Sequence, residues 1–259
     1  MSRNRYAVGM VDWRGKAWDF TGDWAAGIIS GGVEGLVGVV RDSVAEPLGM
    51  GGHLVLGQST EPLRGSVTFH CRAHDVRDAG EVAADFRRAF SALKSRQNHV
   101  RVSSPFGPVT AVVRVDGAVD SPVEDPSWDD IVLNVRVPLV GDAGVWLKPA
   151  ISGDGVVTVT NTGDVHLWPR IVWSGPGGRV ELPSGAVFTL PAVEGQRALS
   201  LSRAESMRVV DADGVRDDEA WAAVRAVTPE GVPVGATRQF RVPDGARLVY
   251  QEGVLDPWQ

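Results

Sequence analysis

The stretch Gly155-Val156-Val157-Thr158-Val159-Thr160-Asn161-Thr162-Gly163-Asp164-Val165-His166-Leu167-Trp168-Pro169-Arg170-Ile171 decides the architecture. A run of β-branched residues stops at an Asn-x-Gly sequence and resumes after a proline, which reads as two short strands joined by a turn. Asn161 and Gly163 suit the positive-φ positions of such a turn. Pro169 has no N–H to donate, so it suits only an edge or the first position of the strand that follows. Comparable runs recur at Val187 to Leu190, Ala198 to Leu201, Met207 to Val210 and Arg238 to Val242, each followed by turn residues, and this spacing fits a β-sandwich. Between them, Asp217 to Ala226 is too short for periodicity to choose between helix and strand.

Working back toward the N-terminus, Gly141-Asp142-Ala143-Gly144 and Lys148-Pro149 look like a linker, which puts a domain boundary near Trp146 and gives domains of 1–145 and 146–259. In the first, strands are expected at Arg5 to Val11, Leu63 to Arg72, Val100 to Ser103, Val109 to Val115 and Ile131 to Leu139. The second of these alternates Val67, Phe69 and Cys71 against Ser66, Thr68 and His70, a pattern that needs one covered face. Helical spacing appears once, where Ala79, Val82, Ala83, Phe86, Ala89, Phe90 and Leu93 predict an amphipathic helix within Val76 to Lys94, opened by Asp78 with Glu81. Its opposite face, with Asp85, Arg87, Arg88 and Lys94, should meet solvent or a polar partner. An acidic, proline-broken loop is expected around Glu124-Asp125-Pro126. The fold class is therefore mainly β, with two sandwich- or barrel-like domains, the first carrying one helix.

Among 259 residues, 26 basic and 32 acidic side chains are dispersed, so no basic stripe is available for direct nucleic acid binding. The N-terminal residues lack the apolar run of a secretory signal, and Cys71, alone in the sequence, can form neither an intrachain disulfide nor a multi-thiolate site. Synthesis in the cytoplasm is expected. The most apolar window, Ala25 to Val40, is shorter than the roughly 20 residues of a spanning helix and is broken by five glycines, which argues against membrane insertion.

Together, the Asn161-to-Pro169 pattern, the strand–helix–strand order ending at Val137-Pro138-Leu139, and the closing Tyr250-Gln251-Glu252-Gly253-Val254-Leu255-Asp256-Pro257-Trp258 resemble the distal tail proteins of long-tailed siphophages, and the closing stretch is similar to minor tail proteins of actinobacterial phages. The resemblance spans nearly the whole chain. It implies a ring-forming first domain, a galectin-like second domain, and a structural subunit of the virion tail tip. Such a subunit would form a hexameric ring between the tail tube protein and the tail tip or tail-associated protein.

Catalytic signatures are scarce in the chain. The sequence has no nucleophile elbow, zincin helix, phosphate loop or dinucleotide fingerprint. His70, Cys71 and His74 fall short of a metal cluster because Cys71 should face away from His70. Asp211-Ala212-Asp213-Gly214 opens like a calcium loop, but position twelve is Ala222, so a tight turn is expected instead. Asp129 with Asp130, and Asp217 with Asp218 and Glu219, are sequence neighbours, an unsuitable layout for a glycosidase acid and nucleophile. No enzyme activity, cofactor or metal is expected. Nine tryptophans keep a carbohydrate-binding module for a host-surface glycan as the alternative, although Trp168 and Trp173, five positions apart, should face opposite sides of a strand. For the assembly surface, the Gly-rich segment offers Ile28, Ile29, Val33, Leu36 and Val37, apolar residues in a stretch of poor intrinsic order that a neighbouring subunit would cover.

Overall fold

A computed structural model describes residues 6–22, 25–46, 48–49, 51–120 and 130–259, so the expected acidic loop around Glu124 and the candidate Asp129 lie outside the described residues. The chain divides into two compact units, Met1–Leu147 with Val254–Gln259, and Lys148–Gly253. Both are mainly β and antiparallel.

Unit 1 contains β1 (Ala7–Val11), β2 (Ala17–Asp19), β3 (Ala26–Gly35), β4 (Val40–Ala45), β5 (Leu54–Thr60), β6 (Leu63–Arg72), α1 (Ala79–Arg88), β7 (Asn98–Ser104), β8 (Gly107–Val115), β9 (Ile131–Gly141) and β10 (Trp146–Leu147). Unit 2 contains β11 (Ile151–Asp154), β12 (Val156–Thr160), β13 (Arg170–Gly175), β14 (Gly178–Glu181), β15 (Val187–Leu190), β16 (Val193–Ser200), β17 (Val209–Asp211), α2 (Asp218–Val224), β18 (Thr237–Arg241) and β19 (Ala246–Tyr250). The short β20 (Gly253–Val254) then pairs with β10.

In unit 1 the strand order is β2-β1-β7-β8-β9-β6-β3. Alternation dictates which face is covered: Val109, Ala111, Val113 and Val115 of β8 are buried, as are Val67, Phe69 and Cys71 of β6. Helix α1 lays Val82, Ala83 and Phe86 on that face. The Phe86 ring meets Trp18, Phe69 and Phe90 at centroid distances of 5.3, 4.8 and 4.9 Å, in tilted, edge-on arrangements that suit aromatic quadrupoles. Asp78 caps the helix by accepting from the Glu81 N–H at 2.7 Å. On the polar face, Asp85 is ringed by Arg14, Lys16 and Arg77, which reach back from the β1–β2 turn and the helix approach. The helix is shorter than its periodicity suggests: Ala89 N–H bonds to Phe86 and Arg87 carbonyls rather than four residues back, tightening the last turn, and both Val76 and Leu93 are exposed.

Unit 2 is a sandwich of two sheets, β11-β19-β13-β16-β17 and β12-β18-β14-β15, which contribute Ile171, Trp173, Leu199 and Leu248 from one side and Val159, Val180, Leu190 and Phe240 from the other to one core. The segment from Asp217 resolves as helix, capped by Asp217, which accepts from Ala220 N–H. Regular pairing of β13 starts only after Pro169, while Leu167 forms a separate bridge to Val232. Residue Met207 sits outside its expected strand at positive φ, and β17 begins at Val209.

One expected turn is built differently. Neither Asn161 nor Gly163 takes a positive φ. Instead the Asn161 side chain is buried and replaces the turn's own hydrogen bonds, donating to the Val165 and Val232 carbonyls at 2.9 and 2.8 Å and accepting from Gly163 N–H at 3.0 Å. Glycine is needed at 163 for closeness: a Cβ there would stand 2.4 Å from the Gly253 carbonyl oxygen.

The two ends of unit 2 are fastened together. Lys148 N–H donates to the Glu252 carbonyl at 2.9 Å, and the Lys148 ammonium meets the Glu252 carboxylate at 2.6 Å. Glu252 also accepts from the Thr162 N–H and hydroxyl. Burial pushes the Glu252 carboxyl up, but the bonds from Lys148 and Thr162 outweigh it and hold the group below its ordinary 4.5. A carboxylate lowered in this way stabilises the fold above its unfolded pKa, and that contribution is lost as pH falls through the folded value. The thermal midpoint of unit 2 is therefore expected to drop on acidification below about pH 4.5. Glu252→Gln should begin lower at neutral pH and show a shallower acid slope; an unchanged slope in calorimetry would assign the acid sensitivity to other groups.

The closing residues, assigned by sequence to the second domain, belong to unit 1: Val254 and Trp258 pack on its core, and Trp258 lies edge-on to Tyr6 at 5.7 Å. Trp146, at the expected linker, is likewise a core residue, buried in unit 1 with its indole N–H donating to the Leu36 carbonyl at 2.8 Å.

Candidate functional site

Cys71, Asp211, Asp217 and Asp218, the described residues best suited to chemistry, are committed to structural work. Burial pushes the Cys71 thiol up to about 12, so no thiolate is available there, and among the described residues no group of three or more His, Cys, Asp or Glu is arranged to hold a metal. Asp217 caps α2 and accepts from Arg197, while Asp218 pairs with Arg216. Asp211 accepts from the Asp213 and Val215 N–H groups and Gly214 takes a φ of 79°, so the Asp-Gly sequence makes a turn. Trp173 is buried, donating to the Pro191 carbonyl, whereas Trp168 is half-buried and stacked on His166 at 4.3 Å, so the two indoles form no shared platform. No helix among the described residues is long and apolar enough to cross a membrane.

What unit 1 offers instead is uncovered apolar surface. The Gly-rich segment is ordered as β3, an edge strand paired to β6, because the partner strand supplies the order its glycines lack. Pairing runs from Ala26 to Ile28, breaks, and resumes at Val33 opposite Val67, so Ile29–Gly32 bulge out opposite Thr68 alone. A bulge of this kind disrupts the free edge as a template for further strands. Of the five residues expected at an assembly surface, Ile28 and Val33 pack partly against the unit's own core and Ile29 is half-buried. Leu36 is buried in that core at a φ of 58°, its strained backbone pinned by the Arg64 carbonyl and by Trp146. Val37 alone is properly exposed, at 39%.

Immediately beyond it lies a feature that the sequence reading missed. Strands β4 and β5 form a two-stranded ribbon of their own, joined through residues 46–53 and closed at the root by Glu61 N–H on the Val39 carbonyl. Every residue of β5 is exposed, as is all of β4 except the half-buried Ala45. Leu54 and Leu56 stand 57% and 66% exposed, and Leu48 at the tip is fully so. Gly49, Gly51 and Gly52 between two apolar runs were the available hairpin signal. An isolated two-stranded ribbon is at best marginally stable in water, which makes a covering partner the physical expectation.

No protein-family model matches the sequence, and no curated protein matches it. Among solved structures, the chain is similar to the Dit protein (gp 19.1) of SPP1, described as a paradigm of the hub adsorption apparatus in phages infecting Gram-positive bacteria. The TM-score is 0.63 at 13% identity, over 96% of this chain and 99% of that one. It is also similar to chains of the phage P2 baseplate in its activated conformation, with Ca and with Sr. Each gives a TM-score of 0.56 at 7% identity over 95% of this chain and 98% of the other. At these identities the likeness is one of fold, and it extends over 95–96% of the chain.

Proposed function

We propose that this chain is a structural subunit of a phage tail tip, assembled as a hexameric ring that joins the tail tube to the tip or baseplate proteins, with no catalytic step of its own. The observation that carries the reading is the fold match to the SPP1 hub protein across 96% of this chain and 99% of the other, which includes both units. Unit 1, with its uncovered ribbon, is the ring-forming part, and unit 2 is a galectin-like sandwich attached to it. Tail tube and tail-associated proteins are the expected neighbours. The dispersed charge and the engaged acids and thiol agree with a packing role rather than a chemical one.

The test is location and copy number. Antibodies to this chain, applied to purified particles, should label the distal end of the tail, and averaged images should show one ring of six copies. Particles that lack the chain, or carry it only in the capsid, would refute the reading.

A further inference from the structure

We propose that the β4–β5 ribbon of one copy docks onto a basic, tryptophan-centred patch on unit 1 of the next copy, a mode of association that rests on the ring-subunit reading above. The ribbon needs a cover. It exposes Val40, Val44, Leu54, Val55 and Leu56, with Leu48 at its tip, a concentration of apolar side chains that marks an interaction surface. Its charge is one-sided: from Val40 to Glu61, Arg41 stands against Asp42, Glu46 and Glu61, and Arg41 is already engaged with Glu61 at 3.5 Å.

The complementary surface is carried by the same unit. Trp13, 38% exposed, is fixed from three sides: its N–H donates to Asn98 Oδ1 at 3.1 Å, its indole N–H to the Arg88 carbonyl at 3.2 Å, and the Arg96 guanidinium lies 4.5 Å from its ring centre. Arg88 and Arg96 make no ion pair among the described residues, which leaves the surface around Trp13 basic. A rigid tryptophan flanked by arginine is the composition on which binding energy concentrates. Because the acidic, apolar ribbon and the basic, aromatic patch are different surfaces of one chain, the contact is head-to-tail, the type that generates rings when its rotation closes. The bulge at Ile29–Gly32 disfavours the competing mode, extension of the sheet through β3.

Charge exchange on the full-length chain tests this by sedimentation velocity. Wild type should self-associate. D42R/E46R and R88E/R96E should each weaken association at least tenfold, and the chain carrying all four changes should recover it, since the interface charges are then swapped rather than lost. L54D/L56D, at two leucines 57% and 66% exposed, should be monomeric with an unchanged thermal midpoint. Wild-type association in every variant, or no recovery in the fourfold exchange, would overturn the docking mode while leaving the ring reading to the particle images. A wild type that remains monomeric at all accessible concentrations also overturns it, whatever other chain the ribbon then binds.

Discussion

Phe86→Ala is expected to cost unit 1 about 3–5 kcal/mol, because it empties the one point where the helix, β2 and β6 meet. Phe86 has no exposed surface, and its ring touches Trp18, Phe69 and Phe90, with Phe20 centred 6.1 Å away. The neighbours are large rings on three different elements, so the void cannot close by a single rotamer change, and the edge-on pairs, worth about 0.5–1.5 kcal/mol each, are lost with it. Against a typical domain stability of 5–15 kcal/mol this is a large share, and the unit 1 thermal transition should fall by roughly 10 °C. Unit 2 has a core of its own, and its transition should stay in place. Differential scanning calorimetry reads both; a fall of equal size in each would mean that the two units unfold as one.

The second large effect belongs to unit 2 and turns on a single atom. Asn161→Asp keeps the shape but replaces a donor of two hydrogen bonds by an oxygen facing the Val165 and Val232 carbonyls. Each buried carbonyl left without its donor costs about 1–3 kcal/mol, and a buried carboxylate beside two carbonyl oxygens adds repulsion to that. The variant should lose most of unit 2's stability at neutral pH and recover part of it in acid, where the protonated carboxyl can donate once. The opposite pH trend, or a midpoint within a degree of wild type, would show that the side chain does not hold this corner.

How much of this was legible in the sequence depended on whether one face of an element is covered. Strands β6, β8 and β12 were readable because burial on one side imposes alternation, and the start of α1 was readable because a cap is a local event between Asp78 and Glu81. The end of α1 was not, since Phe90 and Leu93 continue the helical spacing after the backbone has tightened. Four glycines disguised β3, whose order comes from β6, thirty or more residues away in sequence. The ribbon left no alternating signature at all, because neither of its faces is buried. Asn161 looked like a turn residue; its partner Val232 lies 71 positions away, beyond any local rule. Of the residues expected at an assembly surface, Val37 is exposed while most of the others turn inward, and the larger exposed surface next to it went unread.

The fastening of Lys148 to Glu252 has an evolutionary corollary. A segment whose two ends are hydrogen-bonded to each other leaves the host chain and returns to it at a single point, so its loss or replacement removes one loop rather than cutting a core. Residues 148–253 thus have the geometry of a cassette. Recombination at its two borders could exchange the whole sandwich between lineages while Trp146 on one side and Val254 and Trp258 on the other keep their places in unit 1, so that one core changes without disturbing the other.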